Sequence, residues 1–329
     1  MTTILCIGDL HLSDKPPSNC TDDYNDQLFR MLDEVVDIAG KRYVDAVVFA
    51  GDIFHSKIPM RTSHRTVQRM IGVVQSFRAP VYFVIGNHDI QQDRVESIHE
   101  TQPFGVLLHS GARLLSGWAP DEYGADCDLP LYGVSWQQDW QNAGKAFTDW
   151  VLEPQRISES LIVTHAPLYP VGQELPWENV PAPIVAGWMG NLGYCYYGHV
   201  HPCHGVFDTD GVVFCNQGAL SRGSLHEEDI SRIPAVTIWD SNRSGSEAFE
   251  RVVLKSAPPA SEVFRLAEHV AKTDYRDRLN VFLSAVGQTQ VSVTSVESVL
   301  EEVRAMNLSV TEMSLAEEVL TAAIAGALK

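Results

Sequence analysis

Apolar residues along this chain gather in short unbroken runs rather than alternating with polar ones. Ile4 to Ile7, Val47 to Ala50, Val81 to Ile85, Leu161 to Val163 and Tyr194 to Tyr197 each hold three to five apolar residues without a charge. Runs of this length, most of them closed by a glycine, predict strands buried on both faces. Elsewhere the period is helical. Leu28, Met31, Leu32, Val35 and Ala39 make one stripe, and Val67, Met70, Ile71 and Val74 within 62–77 make another. Each suits a helix lying on a sheet. A strand, short helix and strand are expected over 80–118, a strand over 131–136 and a helix over 141–152. Val206 to Asn216 reads as a hairpin around Asp208-Thr209-Asp210-Gly211, and Ala235–Asp240 and Glu250–Leu254 as further strands. Pro167 to Pro183, rich in Pro and Gly, reads as a long loop. The fold class is α/β, with two sheets packed together and helices outside.

The tract Ser256 to Ser261 (Ser-Ala-Pro-Pro-Ala-Ser) marks a linker. It predicts a large domain over residues 1–255 and a small α+β segment over 256–329. In that segment we expect a helix at 262–272, strands at 280–286 and 289–295, and helices at 296–306 and 315–328. The last helix has a clear apolar face, which would pack on its own domain or dock on a partner chain.

The apolar runs end in one recurring grammar. They hand over to Gly8-Asp9-Leu10-His11, Gly51-Asp52 with His55 beyond, Gly86-Asn87-His88-Asp89, Thr164-His165 and Gly198-His199-Val200-His201. The ends of strands are where open α/β sheets keep their ligands. One Gly-Asp is an ordinary turn; five such endings in one chain are not. Carboxylate, amide and imidazole without thiolate suit manganese, iron, zinc or magnesium. Two divalent ions close together need one shared carboxylate, and Asp52 is the natural bridge. Asp9, His11 and His201 would complete one site, and Asn87, His165 and His199 the other. His199 and His201 alternate, so both can face the metals only if the strand bends between Gly198 and Pro202. His88 is free to protonate the leaving oxygen or to stabilise the crowded transition state, with Asp89 orienting its ring.

The formal charge is −18, from 42 acids against 24 bases and before any histidine charge, which argues against passive binding to nucleic acid. Between Asp52 and Asp89, however, there is no acid, while Lys57, Arg61, Arg65, Arg69 and Arg78 are all present. Lys57, Arg61 and Arg65 are therefore candidate phosphate contacts. The six cysteines carry no CxxC and read as free thiols in a reducing cytoplasm. No signal peptide and no membrane-length apolar stretch is visible.

These motifs, in this order, resemble the calcineurin-like metallophosphoesterases over about residues 1–255. The resemblance implies the metallophosphoesterase two-sheet β-sandwich and a dinuclear centre, usually with Mn2+ in the nuclease branch. His55, following Asp52-Ile53-Phe54, makes the chain most similar to SbcD-type DNA repair exonucleases of bacteria and phages. The stretch from Asn216 to Leu225 resembles the same branch. That likeness implies action on DNA, a role for His55 at the site, and a tail that docks an SbcC-like SMC-type ATPase; a homodimer is a further expectation. About seventy residues follow the linker, fewer than in most SbcD proteins. The competing enzyme reading is a small-molecule phosphodiesterase or phosphatase acting on cyclic nucleotides or nucleotides, which the acidic charge favours. A non-catalytic scaffold is opposed by the complete ligand set.

Overall fold

The computed structural model describes residues 2–58, 61–91, 98, 102–120, 129–151, 159–170 and 179–266. The chain divides into two compact units, Met1–Leu266 and Ala267–Lys329. The elements expected beyond residue 266 lie outside the described residues.

Two six-stranded mixed sheets form the frame of the first unit. The first contains, in spatial order, β14 (Phe249–Val253), β13 (Ala235–Asp240), β1 (Thr3–Ile7), β2 (Ala46–Phe49), β3 (Val81–Phe83) and β4 (Arg113–Leu114). The second contains β11 (Gly205–Thr209), β12 (Val212–Asn216), β10 (Tyr194–Tyr197), β7 (Leu161–Thr164), β6 (Leu131–Val134) and β5 (Gly117–Trp118). A minor pair joins β8 (Leu168–Tyr169) to β9 (Val180–Pro181).

The apolar runs are continuous because each strand is covered on both faces. In β1, Leu5 and Ile7 enter the core under the helices, while Ile4 and Cys6 enter the layer between the sheets. β2 divides in the same way, with Val47 and Phe49 outward and Ala46 and Val48 inward. The second sheet mirrors this, placing Ile162 in its own outer core and Leu161 and Val163 in the shared layer. Such alternation is dictated by the two-residue period of a strand.

Helix α1 (Tyr24–Arg42) and helix α2 (His64–Ser76) cover the first sheet, burying Leu28, Met31, Leu32, Val35 and Ala39 from one and Val67, Met70, Val73 and Val74 from the other. Ile71, expected on the core face of α2, is only half-buried. Ser63 caps α2 by accepting the Thr66 N–H at 3.3 Å. Asp14 reinforces that end, accepting from the Thr66 hydroxyl at 2.5 Å and the Ser63 hydroxyl at 2.7 Å.

Three local expectations need correction. Residues 182–188 are helical and are followed by the turn at Met189 and Gly190, so the loop expected to reach Pro183 ends sooner. Pro181 and Pro183 look like breakers in the sequence, yet Pro181 is the N-cap and proline is tolerated in a first helical turn. Residues 140–147 wind as a 3-10 helix with a break at Asn142 before the α-helical Thr148–Val151. The helix expected from residue 262 begins at Ala260 and is interrupted after Val263, where Phe264 is extended and bridges to Cys20; Leu266 is helical again, and the rest of the expected span lies outside the described residues.

Candidate metal centre

Register aligns the strand ends. Ile7 lies opposite Phe49, and Phe49 opposite Phe83, so Asp9, Asp52 and Asn87 leave the first sheet at one edge. Tyr197 lies opposite Thr164, and Thr164 opposite Val134, so His199 and His165 leave the second sheet together. Three hydrogen bonds stitch the two edges. His165 Nδ1 donates to the Ala50 carbonyl at 2.7 Å, the Trp136 N–H donates to the Ile85 carbonyl at 2.8 Å, and the His199 N–H reaches Asp9 Oδ2 at 3.0 Å.

Two groups of side chains converge on the floor, and His11 forms a third with His55 and His88 at the rim. Asp9, His11 and His201 offer ligand atoms within 4.8 Å of one another, and so do Asp52, His165 and His199. Asn87 joins the second group, its Oδ1 lying 3.1 Å from His165 Nε2 and 3.0 Å from His199 Nδ1. Asp52 Oδ2 lies between the groups, 3.5 Å from His11 Nε2 and 3.3 Å from His165 Nε2. A carboxylate so placed can bridge two cations.

The floor of this cluster is dry and preset. Asp9, Asp52 and His165 are 1%, 2% and 0% exposed. His165 donates its Nδ1–H to a backbone carbonyl, which turns Nε2 inward, towards Asp52 and Asn87. His11, Asp52 and His199 hold left-handed backbone, with φ of 48°, 50° and 71°. Non-glycine residues adopt this region only where the surroundings enforce it, and such outliers gather at functional sites. The bend at His199 brings both His199 and His201 to the same cluster.

The glycines before Asp9, Asp52, Asn87 and His199 also have a steric reason. A Cβ at Gly86 would sit 2.1 Å from Asp52 Oδ1, one at Gly51 2.4 Å from His165 Nδ1, and one at Gly198 2.6 Å from Asp9 Oδ1. At Gly8 the obstruction is the Gly218 carbonyl, at 2.4 Å. The ligands close to within ion-binding distance only because these four positions lack side chains.

Electrostatics fit cations at this point. Burial raises the Asp9 pKa, and burial would raise that of Asp52, but His165 and His11 hold Asp52 well below the usual carboxylate range. Burial would lower His165, yet the charges of Asp52 and Asp9 carry it up to about 9. Burial and the charge on His165 push His199 down to about 3, so its imidazole is a neutral donor. His11 Nδ1 is buried without a partner, and its Nε2 stands 2.9 Å from His201 Nε2. Two imidazole nitrogens and two buried carboxylates at such range make a donor set that divalent ions satisfy.

His88 and His55 stand at the rim. The His88 N–H donates to Asp52 Oδ1 at 2.8 Å. Its ring Nδ1 donates to the His55 carbonyl at 2.6 Å, which leaves Nε2 free. The His55 ring lies near-parallel to the His88 ring, 5.6 Å away between centroids. The expected partnership of Asp89 with the His88 ring is not what the structure holds. Asp89 is buried and accepts backbone N–H groups of Ile53 and Gly86, each at 3.0 Å, and of Phe54 at 3.4 Å. It braces the Asp52 and Asn87 turns against each other, and the His55 main chain orients His88. Lys57, Arg61 and Arg65 are exposed beyond His55, without an ion pair to an acid among the described residues. Arg69, of the same stripe, is used structurally: it pairs with Asp26 at 2.5 Å and lies over the Phe29 ring at 3.8 Å.

Two residues beside the candidate ligands escaped the sequence reading. Asn216 is buried and ties the His199–His201 bend, donating to the Tyr197 and Val200 carbonyls at 3.0 Å and accepting the Gly218 N–H at 3.0 Å. Its signal was an Asn at a strand end two residues before a glycine. Trp136 packs on His199, with ring centroids 4.9 Å apart.

A profile of the calcineurin-like phosphoesterase family matches residues 2–203. The chain is 26% identical over 197 residues to a protein of Archaeoglobus fulgidus named DNA double-strand break repair protein Mre11, covering 56% of this chain and 42% of that one. A protein of the same name from Saccharolobus solfataricus is 22% identical over 235 residues, covering 70% and 57%. The chain thus spans about half the length of the curated relatives it matches. A solved archaeal phosphodiesterase superposes with a TM-score of 0.39 at 15% identity, over 77% of this chain and 100% of that one. No helix among the described residues is long and apolar enough to cross a membrane.

Proposed function

The chain belongs to the calcineurin-like phosphoesterase family, and on that premise we propose that it is a two-metal phosphodiesterase that cuts DNA, a repair or recombination nuclease with both exonuclease and endonuclease chemistry within reach. The observation that carries the reading is the rim: His55, Lys57, Arg61 and Arg65 are exposed beside a buried acidic floor, in a chain of net charge −18. A small nucleotide needs no such extended cationic flank, whereas a polymer's neighbouring phosphates do. The relatives named for DNA break repair support the same choice.

Asp9, His11, Asp52 and His201 would hold one ion, and Asp52, Asn87, His165 and His199 the second, with Mn2+ the favoured metal and Mg2+, Fe2+ or Zn2+ the alternatives. Such ions supply an activated water and neutralise charge on the phosphate oxygens. The chain's own part is positional. The Asp52 backbone turn and the glycine cradle fix the ligands, Asp89 locks the two turns, and His88 presents Nε2 for the leaving oxygen. His55 fixes His88 through its carbonyl and steers the nucleotide with its ring.

Purified full-length chain with Mn2+ should degrade duplex and single-stranded DNA and stop in excess chelator. Efficient hydrolysis of cyclic nucleotides with DNA left intact would overturn the reading in favour of a small-molecule phosphodiesterase. Replacing Lys57, Arg61 or Arg65 by Ala should each lower the slope of log affinity against log salt by about 1. For the tail we propose a cap or docking segment beginning at residue 256, serving DNA, an SbcC-like SMC-type ATPase or a second copy of the chain. Deleting 267–329 should then spare a small chromogenic diester and weaken duplex cleavage; equal loss on both would make the tail part of the fold.

A further inference from the structure

The register that sets out the ligands leaves one place in the row filled by a different chemistry. In the second sheet, β10 ends in His199, β7 ends in His165, and their neighbour β6 ends in Trp136, two residues past Val134. Ser135 is the residue level with His165; level with His199, where β10 supplies an imidazole, β6 supplies an indole. Its backbone is fixed by the hydrogen bond to Ile85 across the sheets. Its ring is tilted 35° against His199 at 4.9 Å and lies 6.1 Å from His165.

Burial separates this tryptophan from most of the others. Trp118, Trp140, Trp150 and Trp239 are buried, while Trp136 and Trp188 are half-buried. Trp188 packs on Phe147, and only Trp136 of the described tryptophans has metal-centre imidazoles as ring neighbours. The two halves of the centre therefore have unlike flanks. The Asp9–His11–His201 half is bordered by His55 and His88, with the cationic rim beyond. The Asn87–His165–His199 half is bordered by the half-buried Trp136 indole, whose other ring neighbour is Trp140 at 6.2 Å.

We propose that Trp136 is a stacking platform for the nucleobase next to the scissile phosphate, on the His199 side of the centre. The inference rests on the DNA nuclease reading and adds where a base is held. Every base has a π-face, so stacking grips a nucleotide without reading sequence. The cationic flank holds the backbone on one side of the cut, and the indole holds a base on the other. Trp136 is a substrate-binding residue on this account and moves no proton.

The test uses the full chain with Mn2+ and two oligonucleotides differing only in whether the nucleotide beside the cleaved bond carries its base or is abasic. Wild type should cut the base-bearing strand about tenfold or more faster in kcat/KM, as loss of one stacked base implies. Trp136→Phe should keep most of that ratio, and Trp136→Leu should bring it close to one with bound metal per chain unchanged. A 2-aminopurine at the same position should be quenched on binding to wild type in Ca2+, which reads stacking even if the Leu variant fails to fold. Equal cutting of both strands by wild type overturns the platform and leaves the nuclease reading standing. So does a Leu variant that keeps the ratio, or one that sheds metal, which would make Trp136 a support for His199. Failure to cut either strand overturns both readings together.

Discussion

The floor and the rim of the centre are built on opposite terms. On the floor, Asp9, Asp52 and His165 are buried, and each is held by main-chain groups from another strand end. At the rim, Lys57, Arg61 and Arg65 are exposed and hold no acid among the described residues. Buried ligands must be placed to within a fraction of an ångström, which only packing and backbone bonds can do. Rim groups meet a substrate that differs in sequence and shape, so mobile side chains serve better. The difference implies that changes on the floor should act on metal content, and changes at the rim on substrate.

Asp52→Ala gives the largest expected effect, since it deletes the bridge between the groups. All hydrolysis should vanish and at least one ion be lost; metal analysis finding two ions per chain would break the assignment. Gly86→Ala should come next, although it removes no donor. Its new Cβ would meet Asp52 Oδ1 at 2.1 Å, so either Asp52 shifts or the turn opens. We expect metal loss together with a lowered Tm, and normal stoichiometry would show the floor to be more pliant than its packing implies.

His88 and His55 sharpen the comparison because they touch both regions. His88→Ala should retain both ions and lose ~10²–10⁴-fold in rate on every substrate, the usual worth of a positioned acid. His55→Ala leaves the carbonyl that holds His88 in place, so it should act more weakly, cutting removal from duplex ends more than nicking of single strands. Parallel rate measurements on both variants decide this, and a proportional loss on all substrates in His55→Ala would remove its steering role.

Asp14→Ala should have the smallest effect, about 1 kcal/mol of stability from lost hydrogen bonds at the start of α2. Burial would raise the Asp14 pKa, but the bonds from Thr66 and Ser63 overcome it and hold the carboxyl below the usual range. A depressed folded pKa stabilises above the unfolded value near ~4 and ceases to do so as pH falls through the folded one. The gap between variant and wild type in urea melts should therefore close at low pH. A gap independent of pH would detach the cap from the charge of Asp14.

Much of the frame was legible in the sequence because burial on both faces leaves runs such as Val47 to Ala50 with no polar member. The convergence of the candidate ligands was legible because each follows a strand end, and a glycine precedes most of them. What stayed hidden depends on pairings distant along the chain. Arg69 looks like a free cation until α1 brings Asp26 and Phe29 beside it. Asp89 looks like a partner for adjacent His88, but its bonds reach Ile53 and Phe54, which no spacing announces. The helix at 182–188 was hidden by its prolines, and Trp136 by its likeness to any other core tryptophan.

The stitching of the two strand edges has a consequence for the chain during synthesis. The first sheet contributes Asp9, His11, Asp52 and Asn87, and the second contributes His165, His199 and His201. Asp9 is held from the end of β10 and from the turn after β12, through the His199 N–H at 3.0 Å and the Leu220 N–H at 2.9 Å. A ribosome releases the N-terminal half first, and that half carries a set of acids and imidazoles with nothing to close it. A partly made chain therefore has no assembled centre, and the hydrolysis proposed for it could begin only when residues past 220 have emerged and the second sheet has docked.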